Sequence, residues 1–436
     1  MKKFTKRILL LLTVLAVAFS GVWVAKPSKV SAASSDGKII VVSLGDSYAS
    51  GEGIEPFFGQ DKDAAEKVQD EDWLAHRSQK AWSALLTVNG NKMVKDDNWF
   101  FAAASGAETK HLYEGQEKKY DYEGEKGSKK LAPQLDIFDK VEKKYGKNAV
   151  DVVTVSIGGN DIGFTDLMIS TIMSQDTIDT KLAQIAELYE KTAKKNIKKA
   201  YQDIAKKAGD QAAIIVVGYP RLLCEDGFSV NAGFITMQVS AETTKKVNES
   251  VDGFNANLAS LVDECRAEGL NIYYVPVIEE FAGHEAYSKD AYINEVITTR
   301  QAEDLSGGLA SAYSFHPNET GAKTYAKAVQ KVLDTVVKAS SNNKDDKKDS
   351  TAPVVTLKAK KGKITVKWTK VEGATKYQVV KYIDGKEVVV KKSTKKTSYT
   401  VKGEKKGTEC TFAVKAYVNK KWTKVTDSDK ATIKAK

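Results

Sequence analysis

Cysteine is scarce in this chain. Only Cys224, Cys265 and Cys410 occur in 436 residues, too few for a disulfide framework, although Cys224 and Cys265 could meet in an oxidising compartment. No CxxC unit is present, so the ligand spacing of a zinc site is missing. Histidine is nearly as rare. His76, His111, His284 and His316 are scattered and none belongs to an HExxH run, which speaks against a metal-dependent hydrolase. The acidic residues form no loop of EF-hand spacing. No metal and no cofactor are expected. Beyond the N-terminus no second long apolar run occurs, so no further membrane span is indicated.

What is present divides along the chain. "MKKFTKR" is basic, "ILLLLTVLAVAFSGVWV" is apolar, and "VSA" precedes Ala33; that three-part pattern reads as a secretory signal over residues 1–32. The net charge of +10 includes +6 in residues 1–32 and +16 in residues 351–436, while residues 341–350 balance, leaving −12 for residues 33–340. An acidic unit followed by a strongly basic one implies two domains with different partners. Between them "KASSNNKDDKKDSTAP" lacks apolar periodicity. The expected organisation is a first domain over 33–340, a polar linker over 341–352 and a second domain over 353–436.

Five short apolar runs stand out in the first domain: "KIIVVSL", "NWFFAAA", "VDVVTVSI", "AAIIVVG" and "NIYYVPV". They are continuous rather than alternating, as befits strands buried on both faces of a parallel sheet. Helical spacing recurs between them, in "LAPQLDIFDKVEKKYG" ending at Gly146, in "KKNIKKAYQDIAKKAG" ending at Gly209, and from about Asn318 to Ala339. The pattern predicts a doubly wound α/β sheet. In the second domain the period falls to two, through "KITVKW", "KYQVVKYI", "KEVVVKK", "SYTVKG" and "CTFAVKAYV", predicting an antiparallel sandwich.

Ligands of open parallel sheets bind beyond the carboxyl ends of the strands. Directly after the first three runs come "GDS" with Ser47, "SGA" with Gly106 and "GGND" with Asn160. A hydroxyl, a bare backbone N–H and a carboxamide at one rim suit acyl transfer: Ser47 attacks, and the N–H groups of Ser47 and Gly106 with the Asn160 amide meet the oxyanion. His316, in "YSFHPNETGA" before a helix start, is the best candidate base. His284, in "FAGHEAY" after the fifth run, is the second choice; His76 and His111 read as surface or structural residues. Asp46 reads as a turn stabiliser. The GxSxG elbow of the α/β-hydrolases is absent.

"GDSYASGEG", "SGA", "GGNDIGF" and "HPNETGA", in this order, resemble the four sequence blocks of the SGNH (GDSL-type) hydrolases, over most of residues 38–338. The longer forms, with "HRSQKAW" and "FAGHEAY", look most like the secreted Streptomyces-type esterase and lipase branch. The resemblance implies a flavodoxin-like five-stranded sheet, Ser47 as nucleophile, Ser47, Gly106 and Asn160 as oxyanion hole, and His316 as base. It also sets a departure in relief. The family commonly has an aspartate three residues before the histidine, and here Tyr313 stands there; the backbone carbonyl of Tyr313 is the expected orienter instead. Residues 351–436 resemble a fibronectin type III domain, with Cys410 where such domains usually carry a tyrosine.

The expectation is a secreted serine esterase or lipase working through an acyl-enzyme. Acyl lipids and aryl esters are the favoured substrates, and a deacetylase of acetylated polysaccharide is the alternative within the enzyme reading. A binding protein built on an inactive hydrolase scaffold is the alternative outside it. The basic domain is expected to adhere to an anionic cell-wall polymer, acidic polysaccharide or lipid surface, with no nucleic acid, because no recognition helix or aromatic platform accompanies its charge.

Overall fold

The computed structural model describes residues 38–308, 310–349, 353, 355–371, 373–383, 386–418, 421–423, 425 and 430–435; the signal read over residues 1–32 lies outside them. The chain forms two compact units that divide between Ser341 and Asn342.

The five apolar runs become five strands of one sheet: β1 (Val41–Gly45), β2 (Trp99–Phe101), β3 (Val152–Ser156), β4 (Ala213–Val217) and β5 (Ile272–Val275). All pairings are parallel, in the order β5-β4-β3-β1-β2, which is the flavodoxin-like doubly wound arrangement. Every residue of β1 to β4 is buried, so both sheet faces are covered and the runs needed no polar alternation. The topological switch point falls at β1 and β3, where Gly45 pairs with Ser156 at the carboxyl ends of both strands.

The helices that matter for the site are α1 (Ser47–Ser50), α2 (Ile137–Tyr145), α3 (Phe164–Met173), α4 (Lys194–Ala208), α5 (Ala241–Ala267) and α6 (Glu319–Asp349). α2 and α4 stop at Gly146 and Gly209, where the spacing put their ends. α6 runs past Ala339 into the stretch expected to be linker. Lysines and aspartates alternate there in a blend that a helix accommodates as readily as a loop. The polar segment from Glu114 to Lys130 contains a hairpin of strands Glu117–Tyr122 and Glu125–Lys130. No described helix is long and apolar enough to cross a membrane. Cys224, Cys265 and Cys410 are all unpaired, Cys265 deep in the core.

The second unit is a sandwich. One sheet joins β6 (Val355–Lys360), β7 (Lys363–Trp368) and β10 (Ser398–Lys402); the other joins β8 (Lys376–Ile383), β9 (Lys386–Thr394), β11 (Glu409–Val418), β12 (Lys421–Trp422) and β13 (Ala431–Lys434). All pairings are antiparallel. Inward residues of both sheets, including Ile364, Trp368, Tyr377, Phe412 and Val414, form its core, and Cys410 is buried among them. Cys410, which stands where the resemblance read from the sequence would put a tyrosine, is a buried thiol.

Candidate active site

The nucleophile turn is built by local rules. β1 ends at Gly45, whose φ is +134°. A Cβ there would stand 2.2 Å from the carbonyl oxygen of Ser156, so only glycine lets β1 and β3 close at this end. Asp46 then caps α1: its main-chain N–H donates to Ser156 O at 2.9 Å and its carboxylate accepts from Tyr48 N at 3.0 Å. Ser47 is the first residue of α1, 8% exposed at the sheet rim. The Tyr219 hydroxyl donates to the second Asp46 oxygen at 2.6 Å. Burial nonetheless pushes the Asp46 carboxyl up to about 7. Asp46 thus acts on the turn and touches neither Ser47 Oγ nor His316 by hydrogen bond.

A residue that sequence reading missed holds the end of β1 from the other side. β2 stops pairing at Ser43–Phe101, which leaves the N–H of Gly45 without a strand partner and its carbonyl with Ala104 N as its main-chain donor. The buried carboxamide of Gln134 takes both, accepting from Gly45 N at 2.9 Å and donating to Gly45 O at 2.8 Å. A side chain thereby completes the ladder two residues before the nucleophile turn's serine.

His316 comes to Ser47 from the far end of the chain. Its Nε2 lies 2.7 Å from Ser47 Oγ. The loop that carries it is pinned on both sides: Phe315 N donates to Asn294 O, Asn294 N to His316 O, and Tyr48 OH to Phe315 O. Asn318 caps α6, accepting from Thr320 and Gly321 N–H groups. The Tyr313 carbonyl, expected to orient the imidazole, accepts instead from the main-chain N–H of His316 and the amide of Asn294. His316 Nδ1 is buried and makes no hydrogen bond among the described residues. Burial holds the ring's proton affinity below the ordinary imidazole value, while Glu52 and the carbonyls of Ala312 and Ser314 pull it back upward.

Glu52 is the second residue that the sequence did not disclose. Five positions after the serine, it is fully buried and meets His76 Nδ1 at 2.8 Å through both oxygens. Burial alone would raise its carboxyl, yet His76, His316 and the Ser105 hydroxyl bring it down to about 2, so it stays ionised beneath the site. His76 stacks on Phe57 with ring centroids 4.5 Å apart, a structural place. His111 closes the capping box of a 3-10 turn with Glu108. His284, the second choice for the base, stacks on Tyr292 and bonds the Asp290 carbonyl, apart from Ser47.

The three groups expected as oxyanion donors follow three different strands, β1, β2 and β3. The main-chain N–H groups of Ser47 and Gly106 meet no acceptor among the described residues. Gly106 has φ +72° and an exposed position in its turn. Asn160 follows β3 and spends one N–H on Ala107 O at 2.9 Å, which leaves its second N–H uncommitted and ties it to the Gly106 loop. Asp161, the next residue, accepts from Thr109 N at 2.9 Å and from the Thr109 hydroxyl. Ala104 N donates to Gly45 O at 3.0 Å, which sets the Gly106 loop against the nucleophile turn. Among the described residues no group of three or more His, Cys, Asp or Glu side chains converges as metal ligands would.

Comparisons with known proteins agree on one family. The sequence model described as GDSL-like Lipase/Acylhydrolase matches residues 41–329. Lipase 1 of Streptomyces coelicolor is 25% identical over 281 residues, 64% of this chain and 81% of that protein. Among solved structures, the extracellular lipase of Streptomyces rimosus aligns at 24% identity and TM-score 0.47, covering 68% of this chain and 99% of that one. A Fn3-like protein from Clostridium thermocellum aligns with the C-terminal part at 21% identity and TM-score 0.18, covering 20% of this chain and 92% of that one.

Proposed function

Because this chain belongs to the GDSL-like lipase/acylhydrolase family and is a carboxylic ester hydrolase, we propose that it cleaves esters through an acyl-enzyme on Ser47 with His316 as base. The single observation that carries the reading is the 2.7 Å contact between His316 Nε2 and Ser47 Oγ. As Ser47 attacks the ester carbonyl, its proton passes to Nε2, and the oxyanion takes the N–H groups of Ser47, Gly106 and Asn160. The imidazolium returns the proton to the departing alcohol, and water then repeats the sequence on the acyl-enzyme.

No aspartate orients the ring, and its role is divided. The Glu52 carboxylate favours the protonated ring through space, and the Ala312 and Ser314 carbonyls favour it without closing a hydrogen bond on Nδ1. Since burial keeps His316 below the usual value of 6.5, the free base persists at pH 6.5, and kcat/KM is expected to fall only as pH drops beneath it. Glu52→Gln removes a charge that raises the ring's proton affinity. The acid limb should therefore move to still lower pH, and the rate should drop roughly tenfold as the imidazolium loses support. A pH–rate profile that moved to higher pH would overturn this role for Glu52.

Substrate class and location extend the same proposal. Acyl lipids or aryl esters are favoured over acetylated polysaccharide because the curated relatives are named lipases, and an exported enzyme agrees with the solved relative described as extracellular. Hydrolysis of chromogenic esters from acetyl to palmitoyl tests this. A preference for long chains supports the lipase, and activity confined to acetyl esters supports the deacetylase.

The basic domain is proposed to hold the enzyme on an anionic polymer or lipid surface. One face of it is basic, without an acidic residue. The outward positions of β6, β7 and β10 are Thr356, Lys358, Lys360, Lys363, Thr365, Lys367, Ser398, Thr400 and Lys402, paired in register. All five lysines are exposed, and none has an acidic partner among the described residues. On the other sheet Lys381 and Lys415 are matched by Glu404 and Glu387. Lysines opposed across strands repel one another, so this face stores an attraction for polyanions. Retention on isolated anionic cell walls should fall steeply between low and ~0.5 M salt; retention indifferent to salt would count against it.

A further inference from the structure

The carbonyl oxygen of Ser105 belongs to the same peptide group as the Gly106 N–H. It accepts two side-chain donors, Gln116 Nε2 at 2.8 Å and Lys118 Nζ at 2.6 Å. Both come from the segment that opens the Glu117–Lys130 hairpin. Gln116 is buried and Lys118 half-buried, and the mechanism above uses neither. We infer that Gln116 and Lys118 are positioning residues that fix and polarise the Ser105–Gly106 peptide, so that its N–H faces the oxyanion as a strengthened donor.

Three physical points carry this inference, which rests on the proposed oxyanion role of Gly106. A peptide that precedes a glycine of positive φ flips at little steric cost, since glycine tolerates both turn forms. A flip would turn the Gly106 N–H away and aim the Ser105 carbonyl at the developing negative charge. Two donors on that carbonyl hold it outward. The second point is charge. An ammonium bonded to a carbonyl is a charge-assisted donor, and a hydrogen bond at C=O strengthens the N–H of the same group cooperatively. The third is placement. Gln116 Nε2 lies 3.5 Å from where a Gly106 Cβ would stand, so the clamp packs directly on the turn that it controls.

The clamp titrates. Burial pushes the Lys118 ammonium down to about 8, with the Glu52 carboxylate opposing the shift and the Arg77 guanidinium adding to it; His111 also lies within its field. Below pH 8 the charge is present, and above it the charge is lost. The unmutated enzyme should show an alkaline decline in kcat with a midpoint near 8, at little change in KM.

The experiment is the pH profile of kcat and KM for a soluble short-chain ester, with the full chain, Lys118→Met, Lys118→Arg and Asn160→Ala. Lys118→Met is expected to lower kcat at pH 7 roughly tenfold and to erase the alkaline inflection. Lys118→Arg, charged throughout, should recover much of the rate and also lack the inflection. A purely structural lysine would change thermal stability without touching that limb. If Asn160→Ala costs its expected factor while both lysine variants keep the wild-type kcat and alkaline limb, the clamp is wrong and the oxyanion reading stands. If Asn160→Ala is also without effect, the oxyanion reading itself falls. Should Lys118→Met fail to fold, a Lys118→Arg profile that keeps the inflection overturns the proposal by itself.

Discussion

Replacing Ser47 by alanine is expected to cut kcat/KM for a short-chain ester by about 10⁴- to 10⁶-fold while leaving the thermal midpoint nearly unchanged. The asymmetry follows from what the side chain touches. Ser47 Oγ is hydrogen-bonded to His316 Nε2, whereas α1 is capped by Asp46, anchored to β3 through Ser156 and closed by Gly51. None of those supports uses the hydroxyl. His316→Gln should fall by a similar factor, because a neutral amide cannot accept the proton that the serine must lose. The variant that lacks both groups should be hardly worse than either alone, since nucleophile and base act in one step and their losses do not multiply. Activity remaining in all three would come from the oxyanion donors and binding. If the two losses multiplied, Ser47 and His316 would be acting in separate steps and the dyad would have to be abandoned.

The parts of this fold that could be read from the sequence are those where burial leaves a one-dimensional trace. β1 to β4 are covered on both faces and appear as unbroken apolar runs, and the residues proposed for the site, Ser47, Gly106 and Asn160, each come within about five residues of a strand's end. What stayed hidden depends on contacts between distant segments. Gln134 completes the ladder at Gly45 from 89 residues away, and nothing in "LAPQLDIF" separates it from an ordinary helix-start polar residue. The hairpin at Glu117–Lys130 offers only Tyr120 and Tyr122 at a spacing of two, too short a stripe to betray a strand. Glu52 looks like a surface acid in a glycine-rich turn until the fold buries it against His76. The absent aspartate at Tyr313 was legible, yet its replacement was not. A carbonyl is carried by every residue alike, and only the loop conformation turns that of Tyr313 to His316 N and Asn294 and leaves Nδ1 without a hydrogen bond among the described residues.

Asn160→Ala is expected to lower kcat by about 10²- to 10³-fold with KM little altered, the loss typical of one oxyanion-hole donor. The ground-state carbonyl asks little of this group, whereas the tetrahedral oxyanion carries nearly a full charge. The effect therefore belongs to the chemical step and not to binding. The amide is held for that purpose: one N–H is spent on Ala107 O at 2.9 Å, and the Thr165 hydroxyl donates to its oxygen at 3.4 Å, so the remaining N–H has its direction set before substrate arrives. Asn160→Asp separates a missing donor from a misshapen loop. It keeps the size and shape of the side chain but replaces the donor by a carboxylate that repels the oxyanion, so it should be slower than alanine at neutral pH. A loss confined to KM, or an aspartate variant faster than the alanine one, would mean that Asn160 secures the Gly106 loop through Ala107 and is no oxyanion donor.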